Sequence, residues 1–227
     1  MVPDTSTPPG LRERKKQQTR LAIYEAALEL FVAEGFDRVS MTQIAEAANV
    51  SKATVFNYFP SKEDLIMVAM REAMTDPGKP VRARAPGESV LDALRRAFLD
   101  ELDRRESHVG LDAGGLGFMR VVRSSPALAG RVMLLDRHRE VQLAQALAEE
   151  TGAAPGDMTP NMVAAAVLGA MRAVSSENWR RLVDGESPDA IHPDAVAAAE
   201  RLFDVLTEGL AGYGVRPLHV SEPPDKR

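Results

Sequence analysis

The 227 residues contain no cysteine, which excludes disulfides, thiolate-held zinc or iron–sulfur centres and a cysteine nucleophile. Only four histidines are present, none in H-x-x-H or H-x3-H spacing, so no metal site is expected. Long apolar runs are missing too. The most apolar stretch, Ala164 to Ala173, is broken by Arg172 and falls well short of the roughly 20 residues that a membrane span needs. Met1 to Gly10 has neither a basic n-region nor an apolar h-region, so no secretory signal is expected and the cytoplasm is the expected compartment. Nucleophile-elbow, P-loop, GxGxxG and Glu-x-x-His patterns are absent as well. No catalytic residue, enzyme activity or cofactor is therefore expected. Positive charge is also in deficit, at −5 overall, which taken alone argues against a nucleic-acid partner.

What is present is helix-forming sequence. Aromatics make up only 5%, alternating strand patterns do not occur, and stretches rich in Ala, Leu, Glu and Arg carry apolar residues at 3.6-residue spacing. An all-α fold is the expectation. Pro and Gly punctuate it into a disordered head at 1–10, a unit at 11–75, a break at 76–87, a larger helical unit at 88–213 and a disordered tail at 214–227. The first helix is expected over Leu11 to Glu34 with Leu21, Tyr24, Leu28 and Phe31 on one stripe, stopped by a left-handed Gly35, with Phe36 folding back onto Phe31. Ser40 and Gln43 form a capping box that opens a short helix with Ile44 and Ala45 inward. Asn49 tolerates positive φ, and Ser51 caps the next helix. A fourth helix starts at Ser61 with Leu65, Val68 and Ala69 on its apolar face. Longer helices follow: Ser89 to Glu106 (Leu91, Leu94, Phe98 and Leu102 on a stripe), Pro126 to Glu150, Pro160 to Val183 capped by Thr159, and Pro193 to Leu210. The glycine-rich stretch from Gly110 to Ser124 reads as a broken, compliant helix.

Residues 40–59 have the spacing of a helix-turn-helix, whose second helix enters the major groove while the first crosses the backbone. Exposed side chains on that second helix should be small or polar, and Ser51, Lys52, Ala53, Thr54, Asn57 and Tyr58 meet this, while Val50, Val55 and Phe59 face inward. Lys52 suits guanine O6/N7, Ala53 a thymine methyl, and Thr54 a base or a phosphate. Tyr58 and Lys62 are placed for phosphates. Any capped helix pair in a bundle shares this bare pattern. Here it stands beside Arg12, Arg14, Lys15, Lys16 and Arg20, which against the one acid Glu13 put a charge of +4 into residues 11–20. Such a cluster is a solvated helix end or, next to a helix-turn-helix, a phosphate or minor-groove arm.

Thr19 to Ile66 resembles the N-terminal domain of TetR-type transcriptional regulators. The resemblance is carried by Ala-Ala-Leu-x-Leu-Phe ending in Gly-Phe, by the Ile-Ala-x-x-Ala-x-Val-Ser turn and by Tyr-Phe-x-Ser-Lys-Glu-x-Leu. It implies about nine helices: a three-helix helix-turn-helix domain and a C-terminal helical domain for ligand binding and dimerisation. It further implies that Thr42, Lys52, Ala53, Thr54 and Asn57 approach bases and that Tyr58 and Lys62 hold phosphates; Arg12, Arg14, Lys15, Lys16 and Arg20, by their charge, and Ser40 and Ser51 are expected at phosphates as well. Phe56 stands where many members have Tyr, so a phosphate hydroxyl is missing there.

For the C-terminal domain the resemblance suggests a pocket among Phe98, Leu102, Phe118, Met119, Val122, Leu134, His138, Val141 and Trp179, although each taken singly suits a plain core better. It suggests a dimer interface on the last two helices at Ala166, Ala170, Val174, Ala199, Leu202, Phe203 and Leu206, where small residues allow close approach. The expected function is a dimeric repressor on a pseudo-palindromic double-stranded DNA operator, released by a small-molecule effector of hydrophobic or acyl type, with no membrane role. The alternative is a DNA-binding dimer whose C-terminal domain takes a protein partner. The acidic net charge fits this assignment once divided: residues 11–62 hold eight basic against six acidic residues, and residues 75–227 nineteen against twenty-three.

Overall fold

The computed structural model describes residues 10–210; the expected disordered tail, and the head except Gly10, lie outside the described residues. Those residues fold into α1 (Leu11–Glu34), α2 (Met41–Ala47), α3 (Lys52–Tyr58), α4 (Lys62–Ala73), the single turn α5 (Lys79–Arg82), α6 (Val90–Asp103), α7 (Leu116–Ser124), α8 (Pro126–Thr151), α9 (Thr159–Val183) and α10 (Pro188–Leu210). Among them there is no strand, and nine of the helices exceed one turn, as the sequence predicts. None is long and apolar enough to cross a membrane.

The chain packs as two units, divided between Ala69 and Met70, between Leu116 and Gly117, and between Arg131 and Val132. The first unit is built on α1, α2 and α3. Local chemistry sets their bounds. Ser40 Oγ accepts from Gln43 N at 3.3 Å while Gln43 Oε1 accepts from Ser40 N at 2.9 Å, so the capping box forms. Ser51 Oγ accepts from Thr54 N at 3.0 Å, and Asn49 supplies the turn at φ 52°. Gly35 has the expected positive φ, 89°, but with ψ 143° it lies close to an extended region open to glycine almost alone, rather than in the left-handed helix. The Phe31 and Phe36 rings meet at 4.9 Å.

The buried stripe of α1 is Ile23, Ala27 and Phe31, whereas Leu21 is 55% exposed. The apolar face expected through Leu21, Tyr24 and Leu28 is therefore rotated towards Ile23 and Ala27, with Tyr24 and Leu28 half-buried at its edge. On α4, Leu65 is buried as expected, but its companions are Ile66, Met67 and Met70; Val68 and Ala69 are half-buried. Residues 117–131 also join this unit: Val121, Val122 and Leu128 are buried, and Ser125 Oγ donates to Asp37 Oδ1 at 3.2 Å.

In the second unit α10 packs on α9 and α6, and α5 on α6. Leu91, Leu94, Phe98 and Leu102 form the buried stripe of α6, as their spacing predicts. Stretch 76–87 coincides with none of the points of division. It folds as part of this unit, with Val81 fully buried and the enclosed Arg84 guanidinium donating to Val81 O at 2.6 Å and to Glu150 Oε2 at 2.9 Å. Two starts differ from expectation. Thr159 is the first residue of α9 rather than its cap: Met158 stands at the N-cap without a side-chain bond, and Asp157 Oδ1, one residue earlier, accepts from Thr159 N at 2.8 Å. Helix α10 begins at Pro188, with Ser187 Oγ accepting from Ala190 N at 3.2 Å, and Pro193 lies inside it; the Ser-Pro pair at 187–188 is itself a cap followed by proline at the first helical position.

Candidate nucleic-acid interface and a charged cavity

Helix α3 presents one wet face and one dry face. Val55 and Phe59 are fully enclosed, while Ser51, Lys52, Ala53, Phe56 and Asn57 are exposed and Thr54 and Tyr58 half-buried. Facing its C-terminal half is the start of α1. Together they form an open cleft of about 900 Å³ lined by Gly10, Arg12, Glu13, Lys15, Lys16, Thr19, Thr54, Asn57 and Tyr58. Three cations against one acid make the cleft electropositive, and Thr54, Asn57 and Tyr58 add neutral hydrogen-bonding groups, the combination that suits a phosphodiester backbone.

Of the residues expected at DNA, the cleft brings together Arg12, Lys15, Lys16, Thr54, Asn57 and Tyr58; Gly10, Glu13 and Thr19 were not foreseen. Arg14 is exposed but off its walls, as are Thr42, Lys52 and Ala53. The Lys52 Nζ stands 6.0 Å from the Phe56 ring centroid, and the Arg20 guanidinium lies 5.9 Å from that of Phe59. The hydroxyls of Ser40 and Ser51 are engaged in their own helix caps. Lys62 is turned inward: its Nζ donates to Phe36 O at 2.9 Å, Asp37 O at 3.3 Å and Val39 O at 3.4 Å, and sits 4.5 Å from the Phe36 ring centroid. An ammonium with three protein acceptors has no donor left for a phosphate, so the structure gives this residue a different task from the expected one.

The second unit carries a small, partly open cavity of about 90 Å³. Its apolar walls are Met74, Phe98, Leu168 and Met171, and its polar ones Glu101, His108, Asp136, Arg139, Arg172 and Ser175. His108 is held by the loop after α6. Asn178 Nδ2 donates to Val109 O at 2.9 Å, and Gly110, at φ 78°, lies so close to α9 that a Cβ there would stand 2.8 Å from Ser175 O. The Glu101 carboxylate accepts from Thr75 Oγ1 at 2.9 Å and pairs with His108 Nε2 at 3.1 Å. Burial pushes its pKa up, but these two partners and the Arg139 charge outweigh burial and leave it below the usual value. Asp136 goes the other way: burial raises its pKa, offset only in part by Arg172 and Arg139.

Only Phe98 of the nine expected pocket residues lines this cavity. Leu102 and Trp179 are buried, Phe118, Met119 and Val122 belong to the first unit, and Leu134, His138 and Val141 are exposed, Leu134 by 67%. The buried stripe of α8 is instead Leu135, Leu143, Ala146 and Leu147, with Asp136 and Arg139 half-buried beside it. Of the expected dimer residues, Ala199 and Phe203 are fully buried within their own unit. Ala170, Val174, Leu202 and Leu206 are half-buried, and Ala166 is exposed. Among the described residues no cluster of three or more His, Asp or Glu could hold a metal ion.

Fold and cleft together define an all-helical helix-turn-helix DNA-binding protein. The sequence pattern of bacterial regulatory proteins of the tetR family matches residues 23–67, and that of the MftR C-terminal domain matches residues 88–210. The chain is 34% identical over 185 residues to the HTH-type transcriptional regulator TcmR of Streptomyces glaucescens, covering 78% of this chain and 80% of that protein. It is 30% identical over 206 residues to the putative mycofactocin biosynthesis transcriptional regulator MftR of Mycobacterium tuberculosis, covering 87% and 93%. Solved structures share the fold: a SmeT–triclosan complex (TM-score 0.60, 16% identity, 92% of this chain and 100% of that one) and native NalD, the secondary repressor of the MexAB-OprM multidrug efflux pump in Pseudomonas aeruginosa (TM-score 0.58, 20% identity, 84% and 96%). The chain belongs to the TetR family of bacterial transcriptional regulators. It is a DNA-binding regulator and not an enzyme.

Proposed function

We propose that the protein is a cytoplasmic, dimeric repressor that binds a pseudo-palindromic operator and is released by a small effector. The observation that carries this reading is the cleft in which Arg12, Lys15 and Lys16 of α1 converge with Thr54, Asn57 and Tyr58 of α3. The cations hold phosphates, and α3 offers Lys52, Ala53 and Thr54 to base edges in the major groove. A dimer joined through the outer faces of α9 and α10, where Ala166, Ala170, Val174, Leu202 and Leu206 remain partly exposed, would set two copies of α3 one DNA turn, ~34–36 Å, apart or at a multiple of it.

The partly open cavity is the effector site in this reading. Its four apolar side chains suit a small hydrophobic molecule or the end of an acyl chain. An effector that binds better to a conformation whose recognition helices are wrongly spaced lowers operator affinity by that difference, on the order of 1–3 kcal/mol.

The test is a salt titration of binding to an operator selected from random duplexes. Three cleft cations per subunit predict a slope of about −5 in log K against log salt, and replacing Lys15 and Lys16 by Ala in both subunits should make it shallower by about 3 to 4. An unchanged slope would remove the cleft from the DNA interface.

A further inference from the structure

Helix α3 carries a large side chain that neither the core nor the cleft uses. Val55 and Phe59 anchor the helix in its unit, and Thr54, Asn57 and Tyr58 line the cleft beside α1. Phe56 does neither: it is 44% exposed and stands off the cleft walls. Among the described residues it is the one exposed aromatic side chain. One helical turn earlier, on the same flank, is the exposed Lys52, whose Nζ lies over the Phe56 ring at 6.0 Å from its centroid. The face of an aromatic ring attracts a cation, so the two side chains present an ammonium and an apolar plate next to each other.

A lone apolar side chain on an ordinary surface needs no explanation. The second helix of a helix-turn-helix is not an ordinary surface, because it enters the major groove and its outward groups meet the edges of base pairs there. A phenyl ring has no donor for a phosphate oxygen and neither donor nor acceptor for a hydrogen bond to a base. Of the groups that distinguish the base pairs in the major groove, the apolar one is the 5-methyl of thymine.

We propose that Phe56 is a specificity-determining residue that packs its ring against a thymine 5-methyl group in each operator half-site, close to the base read by Lys52. This rests on α3 being the groove-reading helix, and it narrows the sequence that α3 reads. Lys52 suits guanine O6/N7. Its ammonium and the Phe56 ring are 6.0 Å apart, against a spacing of about 3.4 Å between successive bases, so the guanine and the thymine lie within two base pairs of each other.

The test uses an operator selected from random duplexes, in which each thymine is replaced in turn by deoxyuridine; base pairing is kept and only the methyl is lost. Affinities are measured for the full chain as wild type, Phe56→Ala and Ala53→Ser, the last because Ala53 also suits a thymine methyl. Phe56 lies outside the buried core, so its replacement leaves the fold in place. At one thymine per half-site the replacement should weaken wild-type binding about fourfold, the effect of burying one such carbon. The same replacement should leave Phe56→Ala unaffected and Ala53→Ser as sensitive as the wild type. An operator in which no thymine responds, or losses that are equal in wild type and Phe56→Ala, overturns the proposal. So does a Phe56→Ala variant that weakens thymine and deoxyuridine duplexes alike, which would put the ring on a deoxyribose. Failure of the α3 reading itself looks different: selection then yields no operator, or one whose affinity is also indifferent to Lys52→Ala, and the proposal falls with it.

Discussion

Replacing Lys62 by Met separates a folding role from a DNA role at a position where sequence and structure point in different directions. Met keeps the aliphatic stem and removes the ammonium. The structure then loses one well-placed charged hydrogen bond, to Phe36 O at 2.9 Å, two longer ones to Asp37 O and Val39 O, and the stacking of the cation over the Phe36 ring at 4.5 Å. A hydrogen bond to a charged group contributes about 1.5–3 kcal/mol, and a cation over an aromatic face about 0.5–1 kcal/mol at an exposed site. Because Lys62 is half-buried and solvent can replace part of what is lost, the expected cost is about 2 kcal/mol, or roughly 4–8 °C in Tm for a chain of this length. Thermal unfolding followed by circular dichroism measures it. If Lys62 instead held a phosphate in each subunit of a dimer, the variant would fold normally and its salt slope would become shallower by about 1.8. Unchanged Tm together with that change of slope would refute the structural role; lowered Tm with the slope unchanged is the expected result.

Gly110→Ala should destabilise the second unit by about 2–4 kcal/mol, the sum of left-handed strain at φ 78° and a Cβ pressed to 2.8 Å from Ser175 O and 2.9 Å from Trp179 N; urea unfolding with an unaltered midpoint would contradict the tight approach. Asp136→Asn tests the burial of that carboxylate. Since its folded pKa is raised by burial, the folded state holds the proton more tightly than the unfolded chain does. Stability from this group is then present below the unfolded value of about 3.9 and lost as pH rises through the folded value. The Asn variant should gain on the wild type between about pH 3.5 and pH 7, and a relative loss over that range would mean that the Arg172 pair outweighs the burial.

The DNA-binding unit is legible in the sequence because its signals are short-range. The Ser40–Gln43 box, the Ser51 cap and the positive φ of Asn49 each depend on atoms within three or four residues, so the residue types alone place the helix ends. The rotated stripe of α1 shows where this stops: Leu21 and Ile23 are both apolar, and only the position of the rest of the unit decides which is buried. The start of α10 was lost differently, since two Ser/Thr- or Pro-marked sites, 187–188 and 193, compete and local propensity does not rank them.

The cavity in the second unit lies beyond this kind of reading for a physical reason. Its polar wall takes Glu101 from α6, His108 from the following loop, Asp136 and Arg139 from α8, and Arg172 and Ser175 from α9, so no segment carries a recognisable fraction of it. Helical-stripe reasoning assumes that charge marks the outer face; on α8 the stripe Leu134, His138 and Val141 is exposed, the buried one is Leu135, Leu143 and Leu147, and the cavity takes the half-buried Asp136 and Arg139 at its edge. The assumption holds where burial of charge has no compensation. It fails where opposite charges from three helices meet and neutralise one another, because each is then partnered within the fold. The departure is local: α8 buries an apolar stripe of Leu135, Leu143, Ala146 and Leu147 and exposes Arg131 and Arg137, so only Asp136 and Arg139 break the ordinary pattern, and each meets an opposite charge from α9 or α6.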